Sequence, residues 1–385
     1  MRIQGSYDVA IIGGGLGGLA LSIQSARAGY STILFEKEHY PFHRVCGEYI
    51  SLESWNFLED LGLPLSDMNL PIIKKVLISS PSGNTIEHSL SLGGFGISRY
   101  TIDQQLASIA KREGAIIADG IKVTDATFNG SEFTLQTMNH DKAQPGLIHA
   151  KMVAGSFGKR SNLDVKWNRS FIRHKPNKLN NYIGVKYHIR TDHPADRIAL
   201  HNFSNGYCGI SRIEDDKCCL CYLTTAENLK KCDNSIKKLE EEVLCKNPFL
   251  QRIFSNSDFL MQEPVVISQI SFERKTLVED HILMVGDAAG MITPLCGNGM
   301  SMALHAGKLA FNEMNEYFRN GENRDEVEKN YSGQWKKHFA GRMRIGRFIQ
   351  GFFGHTVLSN VLISSLKPFP GVAGWLIRQT HGEPF

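Results

Sequence analysis

"YDVAIIGGGLGGLALSIQSARAGYSTILFEK", Tyr7 to Lys37, decides the fold. A short apolar run ends in glycines, which reads as a buried parallel strand. "LGGLALSIQSARAG" follows with helical spacing and stops at Gly29, a good helix end. "STILFEK" is the next strand, so a β-α-β unit is complete in one short stretch. Gly13, Gly15 and Gly18 form Gly-x-Gly-x-x-Gly between strand and helix. The first permits the tight turn, the second lets a pyrophosphate approach the backbone, and the third lets the helix pack close to the strand. Phosphate is favoured there because the helix start carries free N–H groups and the positive end of its dipole. Glu36, followed by Lys37, ends the second strand, where an acid suits a ribose diol and repels a 2′-phosphate. This unit alone fits NAD or FAD equally.

A second glycine-rich stretch separates them: "GDAAGMITPLCGNGMSMALHAG", Gly286 to Gly307. Asp287 follows the strand "HILMVG", so its carboxylate is expected at the C-terminal edge of a parallel sheet, where ligands bind. It can accept hydrogen bonds from the ribityl hydroxyls of FAD, which NAD lacks. Gly297, Asn298 and Gly299 then start a helix, running into Met300, whose first amides can face an anionic ring such as a reduced flavin. Pro294 stands in the turn. The first stretch is therefore expected to hold the ADP half and the second the flavin half of FAD.

The rest of the chain is consistent with a redox enzyme of two interleaved domains. Its 385 residues are 42% hydrophobic, enough for a substantial core, and the formal charge of +4 makes no case for nucleic acid. No signal peptide is expected at "MRIQGSYDVAIIGGG", and no uninterrupted apolar run has the length of a membrane span. Eight irregularly spaced cysteines suit a reducing cytoplasm. Cys218 and Cys221 form a C-x-x-C on a strand pattern, which turns the two side chains to opposite faces and suits neither disulfide nor metal; no metal site is expected. "ISLESWNFLEDLG" and "NSIKKLEEEVLCKNPFLQRIF" each read as one helix. The fold class is α/β: a doubly wound domain from residues 1–47, 97–165 and 276–330, an inserted antiparallel sheet from 48–96 and 166–275, and a helical tail over 331–385. In that tail Arg342, Arg344 and Arg347 precede an apolar run. That basic-apolar surface suits a peripheral membrane or carrier-protein contact, although packing over the substrate domain is the plainer expectation.

With the two glycine-rich stretches, "PFHRVCGEYIS" carries a resemblance. The chain resembles the FAD-dependent oxidoreductases of the p-hydroxybenzoate hydroxylase fold, and within them the geranylgeranyl reductase-like branch, which has an R-x-C-G-[GE] segment and also contains monooxygenases. The resemblance implies that Gly13, Gly15 and Gly18 contact pyrophosphate and Glu36 the adenosine ribose. It implies that Arg44 lies along FAD, and that Cys46, Gly47 and Glu48 lie near the isoalloxazine and the cavity mouth. Arg99, in "RYTIDQQL", matches a helix-start Arg that touches FAD. Gly286 and Asp287 would hold the ribityl chain, and Pro294 through Gly299 would border the ring. Tyr187, His188 and Tyr207 are candidates to line the substrate cavity, and Cys46 is a candidate catalytic group.

Two departures matter. Phe157, in "GSFGKRS", stands where the family has an Asp associated with FAD and NAD(P)H handling. "GYCGISRIE", Gly206 to Glu214, lacks the reductases' Trp and Phe-Pro and also the halogenases' paired Trp, which argues against halogenation despite Lys74 and Lys75. The leading expectation is a cytoplasmic FAD monooxygenase drawing electrons from NAD(P)H. It would act through a flavin C4a-hydroperoxide on a small apolar, aromatic or polyketide-like molecule. The alternatives are a reductase of isoprenoid or lipid double bonds and a non-catalytic FAD-binding redox sensor.

Overall fold

A computed structural model describes residues 5–139, 145–174, 180–292, 297–350, 360 and 382–385. Its first sheet contains the opening β-α-β unit. β1 (Gly5–Ile12), α1 (Leu16–Arg27) and β2 (Thr32–Glu36) place β1 parallel to β2, with Val9 opposite Thr32. β3 (Tyr49–Ser51), α2 (Trp55–Asp60), β4 (Ile72–Ser79) and β5 (Thr85–Gly96) then leave for the second sheet. α3 (Arg99–Arg112) returns the chain to the first, followed by β6 (Ile116–Asp119), β7 (Ile121–Phe128), β8 (Phe133–Asn139) and β9 (Pro145–Gly155).

After α4 (Asn162–Lys166) the chain builds most of the second sheet from β10 (Asn180–Arg190), β11 (Arg197–Phe203), β12 (Gly206–Arg212) and β13 (Cys218–Thr225). Three short helices, α5 (Ala226–Lys231), α6 (Ile236–Glu242) and α7 (Pro248–Asn256), cover its back. β14 (Asp258–Phe259) and β15 (Val265–Ser271) complete it. β16 (Val278–Glu279) and β17 (Ile282–Met284) rejoin the first sheet, and the long helices α8 (Gly299–Asn320) and α9 (Arg324–Gln350) follow.

The first sheet runs β16-β17-β9-β1-β2-β6, with β7 and β8 forming an antiparallel extension from β9. The strands through β17-β9-β1-β2-β6 are parallel, and β2, β17 and the C-terminal halves of β1 and β9 are buried and mostly apolar, as strands covered on both faces require. The second runs β14-β10-β13-β12-β11-β4-β5-β3, with β15 also on β10. The large core under the first sheet is continuous with α1, α3, α8 and α9, and a smaller one fills the space between the second sheet and α5–α7.

Three expectations change. The stretch after Tyr49 is not one helix: strand β3 and a 3-10 turn at Leu52–Ser54 precede α2, because Ser51 caps Glu53 N–H and breaks the run. The long helix expected over 234–254 is two, since Asn247 accepts from Phe249 N–H and Pro248 opens α7 at its first position. The boundary drawn after residue 330 falls inside α9, which begins at Arg324 once Gly321, with φ of 68°, has ended α8. No helix among the described residues is long and apolar enough to cross a membrane. The apolar half of the tail lies mostly outside the described residues, as does Pro294.

Candidate active site

The glycine turn between β1 and α1 has a shape only glycine allows. Gly13 has φ of 106°, and a Cβ there would lie 2.4 Å from Ser156 O. One on Gly18 would lie 2.3 Å from Gly13 O. At Gly15 it would meet nothing nearer than 3.9 Å, so the turn is open on that side, toward Arg99. Gly15 is the N-cap of α1, no side chain caps it, and no acid occupies the first turn. Free amides, an open face and nearby guanidinium groups fit a pyrophosphate.

Those guanidinium groups belong to Arg44 and Arg99, which share one buried carboxylate. Asp103 is fully buried and takes Arg44 Nε at 3.0 Å and Arg99 Nε at 2.7 Å. Arg44 also reaches Glu36 Oε2 at 2.8 Å. Glu36 accepts the Gly14 N–H at 3.0 Å, which ties the acid at the end of β2 to the turn. Tyr40 closes over the same turn, its hydroxyl donating to Gly14 O at 2.5 Å. Lys37 is exposed and pairs with Glu38 at 3.4 Å.

At the other end Gly286 and Asp287 form a 3-10 turn after β17. Among the described residues nothing donates a hydrogen bond to the Asp287 carboxylate. Burial pushes its pKa up, while Lys275, Arg99 and Lys159 pull it down. Gly297 has φ of 65°, and a Cβ there would press on the Tyr49 ring at 2.9 Å. Asn298 caps α8 without a side-chain bond to its amides, and Gly299 and buried Met300 begin the helix. A small pocket lies here, lined by Asp287, Ile292, Gly299, Met302 and Trp335 among others. An unsatisfied carboxylate beside an uncapped helix start suits polyhydroxyl and ring acceptors, so both ends of the site fit FAD.

Between the two ends stands Cys46, half-buried, beside exposed Gly47. Burial raises the pKa of its thiol, opposed by the positive charge of Arg99 and Lys186. Glu48 comes next, fully buried, with backbone φ of 54°. Its carboxylate takes Lys186 Nζ at 2.6 Å, His188 Nε2 at 2.6 Å and the Arg99 N–H at 2.9 Å. Burial alone would push its pKa up, but the His188 hydrogen bond and the Lys186 charge hold it down to about 2. Glu48 is therefore a buried anion with three donors and stands as an anchor under the loop.

Strand alternation assigns the cavity candidates. Lys186 and His188 of β10 lie opposite Cys221 and Cys219 of β13, on the face turned to Cys46. Tyr207 lies opposite Leu223 on that same face, where they pack with Val76, Leu200, Ile270 and Phe272. Met291, from the flavin-side segment, packs against this apolar group. Tyr187 does not join it. Its neighbours Lys186 and His188 occupy the cavity face, so it turns to the helical side and donates to Glu240 at 2.9 Å. Cys218 and Cys221 do face opposite ways, Cys218 packing into the core under α5–α7.

Several groups escaped the sequence. Lys186 sits in "NYIGVKYHIR", where an alternating strand reads as half-solvated and its lysine as exposed. Lys275 sends its ammonium to Asp287 O at 2.7 Å and Lys159 O at 2.6 Å, and burial drops its pKa to about 8. No local pattern marks either residue. Phe157 packs near Trp167, with ring centroids 6.1 Å apart. Lys75 pairs on the surface with Asp196 at 2.8 Å.

The comparisons agree with this geometry. The model of the FAD binding domain family matches residues 6–332. The chain is 26% identical over 343 residues to a digeranylgeranylglycerophospholipid reductase of Methanocaldococcus jannaschii, covering 86% of this chain and 83% of that protein. It is 25% identical over 352 residues to conditioned medium factor receptor 1 of Dictyostelium discoideum, covering 87% and 68%. A geranylgeranyl bacteriochlorophyll reductase-like protein of Thermoplasma acidophilum shares the fold with a TM-score of 0.81 at 17% identity, covering 100% and 97%. The flavin-dependent brominase Bmp2 does so at 0.78 and 20%, covering 97% and 93%. With its glycine cradle, acid and flavin-side turn on one parallel sheet, the chain belongs to the FAD binding domain family and is an FAD-dependent oxidoreductase of the p-hydroxybenzoate hydroxylase-like fold.

Proposed function

We infer that the protein is a reductase of carbon–carbon double bonds in an apolar, isoprenoid-like lipid. Bound and reduced FAD supplies the hydride. The remaining work belongs to the chain. Arg44, Arg99 and the glycine turn hold the pyrophosphate, Glu36 the adenosine ribose and Asp287 the ribityl hydroxyls. Tyr207, Leu223, Leu200 and Phe272 form an apolar wall that excludes water. Cys46 gives a proton to the carbon that does not receive the hydride.

The observation that carries this reading is Cys46, two residues before Glu48, whose buried carboxylate pairs with Lys186 and His188. Alkene reduction needs an acid next to the ring, whereas oxygen insertion needs only position and water exclusion. The similarity to the digeranylgeranylglycerophospholipid reductase of Methanocaldococcus jannaschii supports the same class. NAD(P)H is the donor we assign, with Phe157 requiring that it approach without the family's Asp. Contact of the tail with a membrane would bring such a lipid to the cavity.

Monooxygenation is the second reading, favoured by the missing Trp and Phe-Pro in Gly206 to Glu214. One rapid-mixing experiment separates the two. The protein's FAD is reduced without oxygen and mixed with digeranylgeranylglycerophospholipid. Flavin reoxidation with a product heavier by two hydrogens per double bond is expected. No reoxidation by the lipid, but a transient absorbance and an oxygenated product in aerated buffer, would overturn the reductase in favour of the monooxygenase. Slow reoxidation with neither product would favour the sensor.

A further inference from the structure

The stretch Gly206 to Glu214 lacks the Trp and Phe-Pro expected of a reductase, and it ends in an acid that reaches another part of the chain. β12 carries it past the end of β5, where the two backbones touch: a Cβ on Gly96 would stand 1.8 Å from Arg212 O. The chain then turns back through Asp215 and Asp216, with φ of 58° and 54°, and Arg212 pairs with Asp216 at 2.7 Å. This turn presents the Glu214 carboxylate to the start of α3. Glu214 Oε2 accepts the Ser98 N–H at 2.8 Å. Oε1 accepts the Thr101 hydroxyl at 2.8 Å and also the hydroxyl of buried Ser98.

Ser98 is the N-cap of α3, and its side-chain oxygen accepts the Thr101 N–H at 3.1 Å. A serine cap of this kind already satisfies the amide it faces, so the helix does not need a second acid to form. Glu214 adds something else, a fixed attachment of the helix start to the second sheet. Arg99 follows directly. Its N–H goes to Glu48 Oε1 at 2.9 Å, and the Ile97 N–H goes to Glu48 O at 3.1 Å. The consecutive amides of residues 97–99 are thus held by Glu48 and Glu214, and neither acid belongs to the helix. The Arg99 guanidinium is tied to the same turn, with Nε at 2.7 Å and Nη2 at 2.8 Å from the Asp103 carboxylate oxygens. It stands beside the glycine turn, since a Cβ on Gly15 would lie 3.9 Å from Arg99 Nη2. With its backbone and side chain both bound to one helical turn, Arg99 goes where the start of α3 goes.

We propose that Glu214 is a positioning residue for the FAD pyrophosphate: it fixes the first turn of α3, and through it Arg99, against the second sheet. The inference rests on the Arg99 contact in the proposed function and on no particular substrate. Glu214 acts through Arg99, with no contact of its own to the cofactor. Position matters because guanidinium–phosphate recognition is directional, and the N–H groups that Asp103 leaves free must meet phosphate oxygens in line.

The test titrates FAD into the stripped full chain and follows flavin fluorescence. Arg99→Gln removes the contact, Glu214→Ala removes its positioning, and the double variant closes the cycle. Glu214→Ala should weaken FAD about tenfold in the unaltered background, and less than about twofold when Arg99→Gln is already present. A stitch between sheets with no bearing on Arg99 would weaken FAD by the same factor in both backgrounds. That result would overturn the proposal, as would unaltered affinity in Glu214→Ala while Arg99→Gln binds weakly. Failure of the Arg99 contact itself reads differently: Arg99→Gln alone then binds FAD like the unaltered protein, and the positioning role falls with it. If Glu214→Ala does not survive removal of FAD, Glu214→Gln replaces it, and flavin loss from the loaded chain during gel filtration becomes the measure. Glu214→Gln should speed that loss in the unaltered background and not in Arg99→Gln; equal acceleration in both, or none in either, overturns the proposal.

Discussion

Glu48 carries two costs at once, a left-handed backbone and a buried charge, and three donors offset them. Glu48→Gln leaves Lys186 and His188 facing a neutral amide, and loss of one partner of a buried pair costs about 3–5 kcal/mol. A fall of that size in unfolding free energy by urea titration is the expected outcome. The pH dependence follows from the sign of the shift. The folded pKa of about 2 lies below the ordinary value of 4.5. The stabilisation is therefore fully present above 4.5 and disappears as pH falls from 4.5 to about 2. Over that window the unaltered protein should lose its advantage over Glu48→Gln. The two tyrosines separate in the same manner. Tyr187→Phe removes a hydrogen bond to Glu240 on the helical side and should cost about 1 kcal/mol with unchanged kinetics. Tyr207→Ala opens the apolar wall and should raise KM for a lipid substrate severalfold; an unchanged KM would remove Tyr207 from the cavity.

At the scale of elements, α1 and α8 meet through two glycines. A Cβ on Gly17 would stand 2.5 Å from Ala303 O, and one on Gly307 would stand 2.4 Å from Gly17 O. The crossing sets where both helix starts point, and these are the ends expected to grip the two halves of FAD. Gly307→Ala should cost about 1–3 kcal/mol through overpacking. It should also shed flavin during gel filtration although residue 307 lies two turns beyond the site; full flavin retention with unchanged stability would contradict this. The elements of the first sheet were legible because parallel strands covered on both faces are continuous apolar runs. The helical break at Asn247–Pro248 was legible too, in principle, as a cap followed by a first-position proline. The start of α9 was not, because its boundary depends on how Gly321 redirects the chain and not on any change in composition.

For the whole molecule, the Cys46–Glu48 loop is tied to β10 of the second sheet through Lys186 and His188 and to α3 through Arg99, and a ligand spanning the first sheet's edge ties distant segments together. FAD should therefore raise the melting temperature in proportion to the logarithm of its free concentration, the behaviour of a ligand that binds only the folded chain. Asp287→Ala, which removes an acceptor without a protein donor, should weaken FAD by about 10- to 100-fold, the value of a charge-assisted hydrogen bond. Fluorescence titration of the stripped protein measures it.

The sequence by itself determined the β-α-β unit, the second glycine turn and the cofactor class, because backbone geometry at Gly13, Gly18 and Gly297 is a local demand that only certain residues meet. It also carried Cys46 and Glu48 within one short segment. The partners of that segment were decided by the tertiary structure alone. Lys186 and His188 lie far along the chain from Glu48, on a strand whose alternation marks two faces without saying which one is covered. Docking of the second sheet against the loop decided that Lys186 and Tyr207 face the site and Tyr187 does not. The physical reason is that burial of a charge is a property of what surrounds it, and those surroundings come from segments that sequence spacing does not relate.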